Sequence, residues 1–415
     1  MENQKVMNRG FVVLGAILIQ LALGAIYAWS VFTPSLTEAG WTKEDTQWVF
    51  AIGLASFAVF MVFAGKKLAT WGPQRLAMIG GFILGIGYLL AGMIGGTSFW
   101  ALLLLIGLVG GAGIGFAYVV PIAVGMRWFP DKKGMITGLA VAGFGFGALL
   151  WVKLAGSWGH LIANIGLSTT FTIYGVAFAA MVIIGGLWMK FPKAGWKPAG
   201  YQETQAAAGG PVSDREFSST EMLGKLQFYL IFLTFVFSAG AGLMSIGLMK
   251  LYPMEALMAN GYSEVAASNI AGSAMAIFFS LANGLGRILW GMLSDKLGRK
   301  TSIITMTAIQ GIVVILFTYM AGSEILLYVG ATLIGFNFGG NFALFPTITA
   351  DTFGAKNVGQ NYPWVFLAYG FGGIIGPILG GKLGDMGNFP MAFTIAGIAV
   401  LIGTVLTIMV KPARK

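Results

Sequence analysis

The sequence contains no cysteine and only one histidine, His160, among its 415 residues. The absence of cysteine excludes disulfide bonds and metal sites with thiolate ligands. A single histidine argues against zinc sites and catalytic sites that depend on several imidazole groups. Charged residues are also scarce, at 10% of the chain, while hydrophobic residues reach 57% and the mean hydropathy is +0.82. These values are typical of membrane proteins. We predict neither a bound metal nor a cofactor.

Apolar runs long enough to cross a bilayer recur along the whole sequence. A membrane helix needs about 20 predominantly apolar residues. Twelve such runs are predicted, at residues 10–35, 46–65, 74–95, 99–125, 134–156, 169–190, 227–251, 264–292, 300–321, 324–348, 358–384 and 389–410. The first run is too long for the apolar part of a signal peptide, so we expect an uncleaved first helix. The sequence therefore predicts an all-α membrane protein.

Lysine and arginine residues concentrate on one side of the predicted membrane path. If the N-terminus is cytoplasmic, the outer side keeps Lys43, Lys153, Lys250 and Lys382. The cytoplasmic side then holds Lys66, Lys67, Arg75, Arg127, Lys132, Lys133, Lys296, Arg299, Lys300, Lys356, Lys411, Arg414 and Lys415. This bias predicts cytoplasmic N- and C-termini in a cell (inner or plasma) membrane. It also accounts for the formal charge of +10, so no nucleic-acid partner is needed. We expect a monomer in the lipid bilayer.

A polar stretch at residues 191–224 separates two apolar halves. Its prolines and its Ala/Gly run mark a hydrophilic linker. We therefore predict an N-terminal bundle of six helices at 1–190, a cytoplasmic linker at 191–224 and a C-terminal bundle of six helices at 225–415. Within the linker, Ser218 and Glu221 have the spacing of a capping box, which predicts a short surface helix.

The two halves repeat one loop motif. Gly65-Lys-Lys-Leu-Ala-Thr-Trp-Gly72-Pro-Gln-Arg75 follows span two, and Gly291-Met-Leu-Ser-Asp295-Lys-Leu-Gly298-Arg299-Lys300 follows span eight. Parallel repeats are typical of secondary transporters built from two halves. The second copy resembles the complete loop motif of the major facilitator superfamily, whereas Ala69 replaces the acid of the first copy. The resemblance implies twelve transmembrane helices in two pseudo-symmetric six-helix bundles.

The complete copy of the motif implies a gate in the C-terminal half. By resemblance, Asp295, Arg299 and Lys300 form a charge cluster at a helix end that stabilises one gate conformation. The alternative is that Lys296, Arg299 and Lys300 only set the topology.

Arg287 lies in the middle of span eight, and the segment Ile270–Met292 contains no acidic residue. An arginine at the centre of a membrane helix costs about 2.5–3.5 kcal/mol on insertion scales, so such residues are usually functional. Small and polar neighbours stand at spacings of three and four residues, namely Ser280, Asn283, Gly284 and Gly291. This pattern predicts a helix face toward a cavity. We expect a substrate carboxylate to complete the charge. In the alternatives, Arg287 snorkels toward Asp295, pairs with a carboxylate of another helix, or only supports packing.

Several stretches resemble one branch of that superfamily, the bacterial oxalate/formate antiporters and the monocarboxylate (lactate/pyruvate) transporters. They are Met126-Arg-Trp-Phe-Pro-Asp-Lys-Lys-Gly134, Asp214–Phe217, Glu221–Leu223, Ala343–Pro346, Asp351–Gly354 and Asn361-Tyr362. The resemblance covers nearly the whole chain and implies a transporter. We do not expect an enzyme, because no intramembrane Asp/Glu pair, histidine cluster or nucleophile–base set is visible.

The resemblance also implies the substrate site. Arg287 falls on the arginine that binds the substrate carboxylate in this branch, and Asn283 lies one turn from it. The antiporters bind a dianion and add a lysine in span eleven, where this sequence has Tyr369. Other positions that are aromatic or basic in the antiporters' site are occupied here by Tyr27, Tyr118, Phe338, Phe342 and Phe366. We predict all these residues as substrate contacts.

The charge of the site indicates the substrate class. One guanidinium neutralises one carboxylate through a bidentate pair, whereas a second carboxylate beside the Tyr369 phenol would be buried without a counter-charge. We therefore predict a small monocarboxylate of the lactate or pyruvate type. The position that repeats Arg287 in the N-terminal half is Met61. That half is expected to meet the hydrocarbon part of the substrate.

The sequence gives few indications of how transport is coupled to a second substrate. The mammalian transporters of the branch carry an acid one turn before the arginine, where Asn283 stands, and a lysine in span one, which Tyr27–Val31 lacks. No Asp or Glu lies well inside any predicted span. We expect proton-coupled symport by alternating access, with a proton as the second partner. The alternatives are an oxalate/formate-type antiporter and a transporter of another, larger or aromatic, organic anion.

Overall fold

The computed structural model describes residues 7–41, 43–156, 158–193, 195–198 and 215–411. Over these residues, twelve helices are long and apolar enough to cross a membrane. They are Arg9–Trp29, Trp48–Trp71, Pro73–Met93, Phe99–Trp128, Lys133–Ala155, Leu161–Gly186, Leu226–Leu248, Glu264–Leu297, Arg299–Met320, Glu324–Phe353, Val358–Gly384 and Phe389–Met409, numbered here as spans one to twelve. All twelve predicted spans are confirmed. The main differences are an earlier start of span six, an earlier end of span one and later ends of spans two, eight and ten.

The chain divides into two compact units, Met1–Glu203 and Thr204–Lys415, each with six spans. The boundary between them falls inside the predicted linker. In the first unit, span one packs against spans five and six, span two against span four, and span three against span six. In the second unit, the same pairings recur six spans later: seven with eleven and twelve, eight with ten, and nine with twelve. The repeat seen in the loop motif therefore extends to the helix packing.

Over the described residues, three membrane helices contain a 3₁₀ or π-helical segment. Span one continues as a 3₁₀ helix at Gly24–Val31, which includes Tyr27. Spans four and eight contain π-helical segments at Leu103–Gly110 and Ala274–Phe279. In span eight, the Ser280 hydroxyl donates to the carbonyl of Met275, five residues earlier, which is consistent with the wider π turn. Such segments are frequent at functional sites.

The predicted capping box and surface helix are confirmed. Ser218 caps a short helix, Ser219–Leu223, and its backbone N–H donates to the Glu221 carboxylate at 2.8 Å. This hydrogen bond, with that of the Ser218 hydroxyl, lowers the pKa of Glu221. Just before the helix, Phe217 is buried and its backbone N–H donates to the Phe353 carbonyl at the end of span ten.

A second contact joins this segment to the start of span eleven. The Glu216 carboxylate accepts the backbone N–H groups of Lys356, at 3.0 Å, and Asn357, at 3.2 Å. Asn361, fully buried in span eleven, donates its side-chain amide to the Phe217 carbonyl at 3.0 Å. A carboxylate at the N-terminal end of a helix is electrostatically favourable. The segment therefore fixes the turn between spans ten and eleven.

Candidate functional site

Close backbone contacts at glycine positions bring spans eight and ten together. A Cβ atom on Gly286 would meet the Phe336 carbonyl, and one on Gly339 would meet the Asn283 carbonyl. Each position therefore requires glycine, because any side chain would push the two backbones apart. This approach places the polar face of span eight against the aromatic residues of span ten.

Most of the predicted small and polar face of span eight is buried, and Ser280 is partly exposed. Asn283 and Arg287 are buried, at 4% and 0% exposure, as are Gly284 and Gly291. The apolar side chains elsewhere around the helix are exposed, namely Ile277, Leu281, Leu285 and Leu289. Sequence periodicity alone was sufficient to separate these two faces.

Arg287 contacts a neighbouring side chain of its own helix and a ring of span ten. Its Nε donates to the Asn283 side-chain oxygen at 3.1 Å, one turn earlier in the same helix. Its guanidinium carbon lies 4.1 Å from the centre of the Phe342 ring, in a cation–π contact. Both of these groups are neutral. The snorkelling alternative does not fit this geometry, since the side chain is fully buried and Asp295 pairs with Arg299 at 2.7 Å.

Four predicted aromatic residues form one cluster around Phe342. Its ring centre is 5.3 Å from that of Phe338, 6.4 Å from that of Phe366 and 5.5 Å from that of Tyr369. The rings of Phe366 and Tyr369 stack at 5.0 Å. All four side chains are at most 2% exposed. The structure thus brings together the six predicted site residues of the second unit, with Arg287 at the edge of an aromatic wall.

A buried polar network stands beside this wall. Gln310 of span nine donates to the backbone carbonyl of Ser238 in span seven at 3.0 Å. The Ser238 hydroxyl lies 2.7 Å from the Gln310 side-chain oxygen and 2.8 Å from the Asn341 side chain. Asn341 precedes Phe342, so the network fixes span ten at the level of the ring that contacts Arg287.

The predicted residues of the first unit form a separate aromatic cluster. Tyr27 and Tyr118 both contact Phe144, with ring centres at 5.0 Å and 5.5 Å. Phe57 contacts Tyr118 at 5.0 Å. Gly24 permits this arrangement, because a Cβ atom there would meet the Phe144 carbonyl. Tyr27 and Tyr118 therefore share one neighbour that the sequence did not indicate.

The charge cluster that follows span eight contains Asp295 and Arg299, as predicted, and also Asp351. Arg299 bonds Asp295 at 2.7 Å through Nη1 and Asp351 at 3.0 Å through Nε. These three side chains are only 13% to 21% exposed. In the sequence, Asp351 belongs only to a stretch of family resemblance, and its separation of 52 residues from Arg299 gives no indication of this contact.

The structure corrects the predicted place of Lys300. Its amine donates to the carbonyls of Ile408 and Val410, at 2.6 Å and 2.9 Å, at the end of span twelve. Unpaired carbonyls at a helix C-terminus attract a cation. Lys300 thus holds the end of span twelve, while Arg299 joins the two carboxylates.

Comparison with known families identifies this architecture. The family model of the Major Facilitator Superfamily matches residues 12–278 and 230–415. The chain belongs to the major facilitator superfamily. It is accordingly a multi-pass membrane protein with the fold of a transporter.

Relatives and solved structures agree with this assignment. The chain is 29% identical over 409 residues to the oxalate:formate antiporter of Oxalobacter formigenes, covering 98% of this chain and 92% of that protein. It is 25% identical to apicoplast pyruvate carrier 1 of Toxoplasma gondii, covering 78% of this chain and 66% of the carrier. The crystal structure of the major facilitator transporter FucP in the outward conformation matches with a TM-score of 0.69 at 16% identity, over 98% of this chain and 99% of that chain. At that identity the structural match shows the fold alone.

The site residues that sequence reasoning missed are of two kinds. Phe235 also belongs to the cluster of the second unit, since its ring centre lies 6.5 Å from that of Phe342. Phe57, Phe144 and Phe235 are apolar residues in apolar helices, so no sequence signal separates them from packing residues. Gln20, Ser238, Gln310 and Asn341 are polar residues inside membrane spans, and all four are fully buried. Their polarity was a usable signal, but their partners lie on other helices and were not evident from the sequence.

Proposed function

We propose that this protein is a secondary active transporter of small monocarboxylates, of the lactate or pyruvate type, that operates by alternating access. The observation that carries the proposal is Arg287, a fully buried guanidinium in the middle of a membrane span, in contact with the Asn283 side chain and the Phe342 ring. A cation inside a membrane span marks a functional site, and it is suited to an anionic ligand. A substrate carboxylate would form a bidentate pair with the guanidinium.

Tyr369 supports a single-carboxylate substrate. The phenol is fully buried and its ring stacks on Phe366, within the cluster that contains Phe342. A second carboxylate placed here would lose its hydration without gaining a counter-charge. Phe338, Phe342 and Phe366 provide apolar surface for the hydrocarbon part of the substrate. Tyr27 and Tyr118 are also proposed as substrate contacts.

An exchanger of the oxalate/formate type is the second candidate. It is favoured by the 29% identity with the oxalate:formate antiporter, which extends over 98% of this chain. Binding of C1–C6 acids to the purified protein, measured by isothermal titration, tests both candidates. We expect C2–C4 monocarboxylates to bind and oxalate to bind at least about tenfold more weakly, given the cost of a buried, unpaired charge. Preferential binding of oxalate would contradict the monocarboxylate proposal.

The membrane and the orientation belong to the same proposal. The lysine and arginine distribution supports a cell (inner or plasma) membrane location with both termini in the cytoplasm. The charge cluster of Asp295, Arg299 and Asp351 then lies on the cytoplasmic side. We propose that the transporter functions as a monomer.

Coupling to protons gives the first prediction. Uptake of labelled lactate into proteoliposomes should follow an inward proton gradient and collapse when a protonophore removes it. The spans contain no interior Asp or Glu and Asn283 cannot titrate, so we expect no single residue near Arg287 to be the proton carrier. Each neutral substitution of a polar residue at the site should leave the coupling ratio unchanged. Uptake that ignores the protonophore but requires an internal anion would instead indicate exchange.

The charge cluster gives the second prediction. Arg299→Gln removes both ion pairs of a partly buried cluster, each worth roughly 1–3 kcal/mol as a charged hydrogen bond. If the cluster stabilises one state of the transport cycle, turnover should fall by about tenfold, while the KM for lactate stays within about twofold. Measurement of turnover and KM in proteoliposomes distinguishes an effect on the transport cycle from an effect on substrate binding.

Lys300→Gln is the matched control for Arg299→Gln. It removes a neighbouring cation that contacts only the end of span twelve among the described groups. Its turnover should remain near that of the wild type, with a lower Tm. A gating role for the cluster would be excluded by an equal loss of turnover in both variants, or by a parallel loss of substrate affinity in Arg299→Gln.

A further inference from the structure

The end of span two carries two lysines on an exposed face of the helix. Lys66 is exposed and Lys67 is half-buried. Phe63 and Trp71, four residues before and after Lys67, are 42% and 37% exposed. Residues at this spacing are neighbours on a helix surface, so these four side chains form one stripe, called here the lysine stripe. Met61 is fully buried and lies on the opposite side of the helix from Phe63. The lysine stripe therefore faces away from the packed interior of its unit.

Two aromatic rings hold the Lys67 amine against the helix. Its Nζ lies 5.8 Å from the ring centre of Phe63 and 5.8 Å from that of Trp71. A ring face attracts a cation but accepts few of its three N–H donors, so the ammonium can still donate to an anion. Tryptophan beside lysine at the end of a membrane span is typical of the depth at which lipid headgroups lie. The stripe thus presents a cation at the level of the headgroups.

The neighbouring spans supply no negative charge to the stripe. From Thr46 to Pro130, which includes spans two, three and four, the sequence contains no Asp or Glu. The acid of the loop motif is also missing, because Ala69 stands where the second copy has Asp295. The exposed side chain of Arg75, at the start of span three, adds a further positive charge. This part of the first unit is therefore positively charged throughout.

The second copy of the motif shows what the fold requires at these positions. The motif aligns Gly65 with Gly291, and therefore Lys66 and Lys67 with Met292 and Leu293. The corresponding stripe of span eight is apolar, and its side chains are 39% to 43% exposed at the first three positions and 48% at the last, namely Leu289, Met292, Leu293 and Leu297. An exposed apolar stripe on a membrane helix is suited to contact with lipid. The lysines of the first copy thus occupy positions of lipid contact and are not needed for helix packing.

We propose that the lysine stripe binds the headgroup of an anionic phospholipid. The phosphate accepts charge-assisted hydrogen bonds from Lys66 and Lys67, and Trp71 lies beside the headgroup. The acyl chains lie along the exposed apolar part of span two, which includes Phe63 and Val59, the latter 59% exposed. This lipid site is independent of the carboxylate site. With the proposed orientation, the lipid belongs to the cytoplasmic leaflet.

Titration of the purified protein with lipid in detergent, followed by native mass spectrometry, tests the proposal. The wild type should bind dioleoyl phosphatidylglycerol at least about fivefold more tightly than dioleoyl phosphatidylcholine, which has the same acyl chains but no net charge. Lys67→Gln should weaken the binding of phosphatidylglycerol about fivefold, and Lys66→Met/Lys67→Leu about thirtyfold. The double variant carries the residues of the second copy, so its Tm in detergent should remain near that of the wild type. Inorganic phosphate at the concentration of the lipid should not displace it.

Lys132→Gln/Lys296→Gln is the matched control. It removes two exposed lysines from other loops and so lowers the net charge by the same amount. It should retain the preference for phosphatidylglycerol.

Four results would overturn the inference. Equal binding of the two lipids by the wild type would show that the stripe recognises no headgroup charge. An equal loss in both double variants would show that net charge alone attracts the lipid. A lower Tm of Lys66→Met/Lys67→Leu with an unchanged lipid preference would show that the lysines hold another part of the chain. Displacement of the lipid by inorganic phosphate would indicate a site for a soluble anion.

Discussion

Arg287→Gln is expected to abolish monocarboxylate binding and transport without lowering the thermal stability of the protein. The substitution removes the charge that the substrate carboxylate is proposed to pair with. It also relieves the cost of holding a guanidinium inside a membrane helix, about 2.5–3.5 kcal/mol on insertion scales. If Arg287 only supported packing, the same substitution would instead lower the Tm, because a fully buried side chain beside Phe342 would be replaced. Uptake in proteoliposomes and Tm in detergent distinguish the two roles.

Arg287→Lys is the variant matched to Arg287→Gln, and it retains the positive charge. A lysine ammonium is a point charge, which can neither form the bidentate pair nor lie flat on the Phe342 ring as the guanidinium does. We expect at most a few per cent of wild-type uptake, on the order of a 2 kcal/mol loss of charge-assisted bonding. Near-normal uptake by Arg287→Gln would contradict the entire site assignment.

Tyr369→Lys is expected to change the net charge of the substrate that the protein binds. The wild-type ring is fully buried, 5.5 Å from Phe342 and 5.0 Å from Phe366. A lysine here places a second cation in the cluster that already contains Arg287. Two like charges in one buried site are unfavourable unless a dianion neutralises both. Lactate transport should therefore fall by roughly tenfold or more, while oxalate should bind and raise the Tm of the variant.

Tyr369→Met serves as the control for the loss of the aromatic ring. Methionine, like lysine, has a flexible and unbranched side chain, but it carries no charge. It should weaken lactate transport and should not admit oxalate. The charge argument would be wrong if Tyr369→Met gained oxalate binding to the same extent, or if the wild type already bound oxalate more tightly than lactate.

Lys300 and Asp351 show which contacts a sequence motif does not predict. The loop motif fixes the order and spacing of Asp295, Arg299 and Lys300 along the chain. It does not fix the direction in which a long side chain points, and Lys300 points to the free carbonyls of span twelve. Asp351 joins Arg299 because span ten ends beside span nine, a consequence of packing between distant segments.

Gln20 shows a related limit within the first unit. Its polarity inside an apolar helix is visible in the sequence, and such residues are usually functional. The sequence nevertheless predicted that the N-terminal half meets the hydrocarbon part of the substrate, because the position that repeats Arg287 there is Met61. Only the contact with the Tyr118 carbonyl shows which atom of the Gln20 amide is engaged and which remains available.

The sequence by itself determined the twelve spans, the repeat of the two halves, the polar face of span eight and the position of Arg287. These features are local: a helix that crosses a bilayer needs a continuous apolar run, and the period of the helix separates its faces. The tertiary structure decided which groups surround the guanidinium, which carboxylates Arg299 joins and which aromatic rings share a cluster. Those contacts depend on how closely two helices approach, and here glycines such as Gly286 and Gly339 determine that distance. The sequence shows where each glycine lies, but it does not show which distant segment of backbone packs against that glycine.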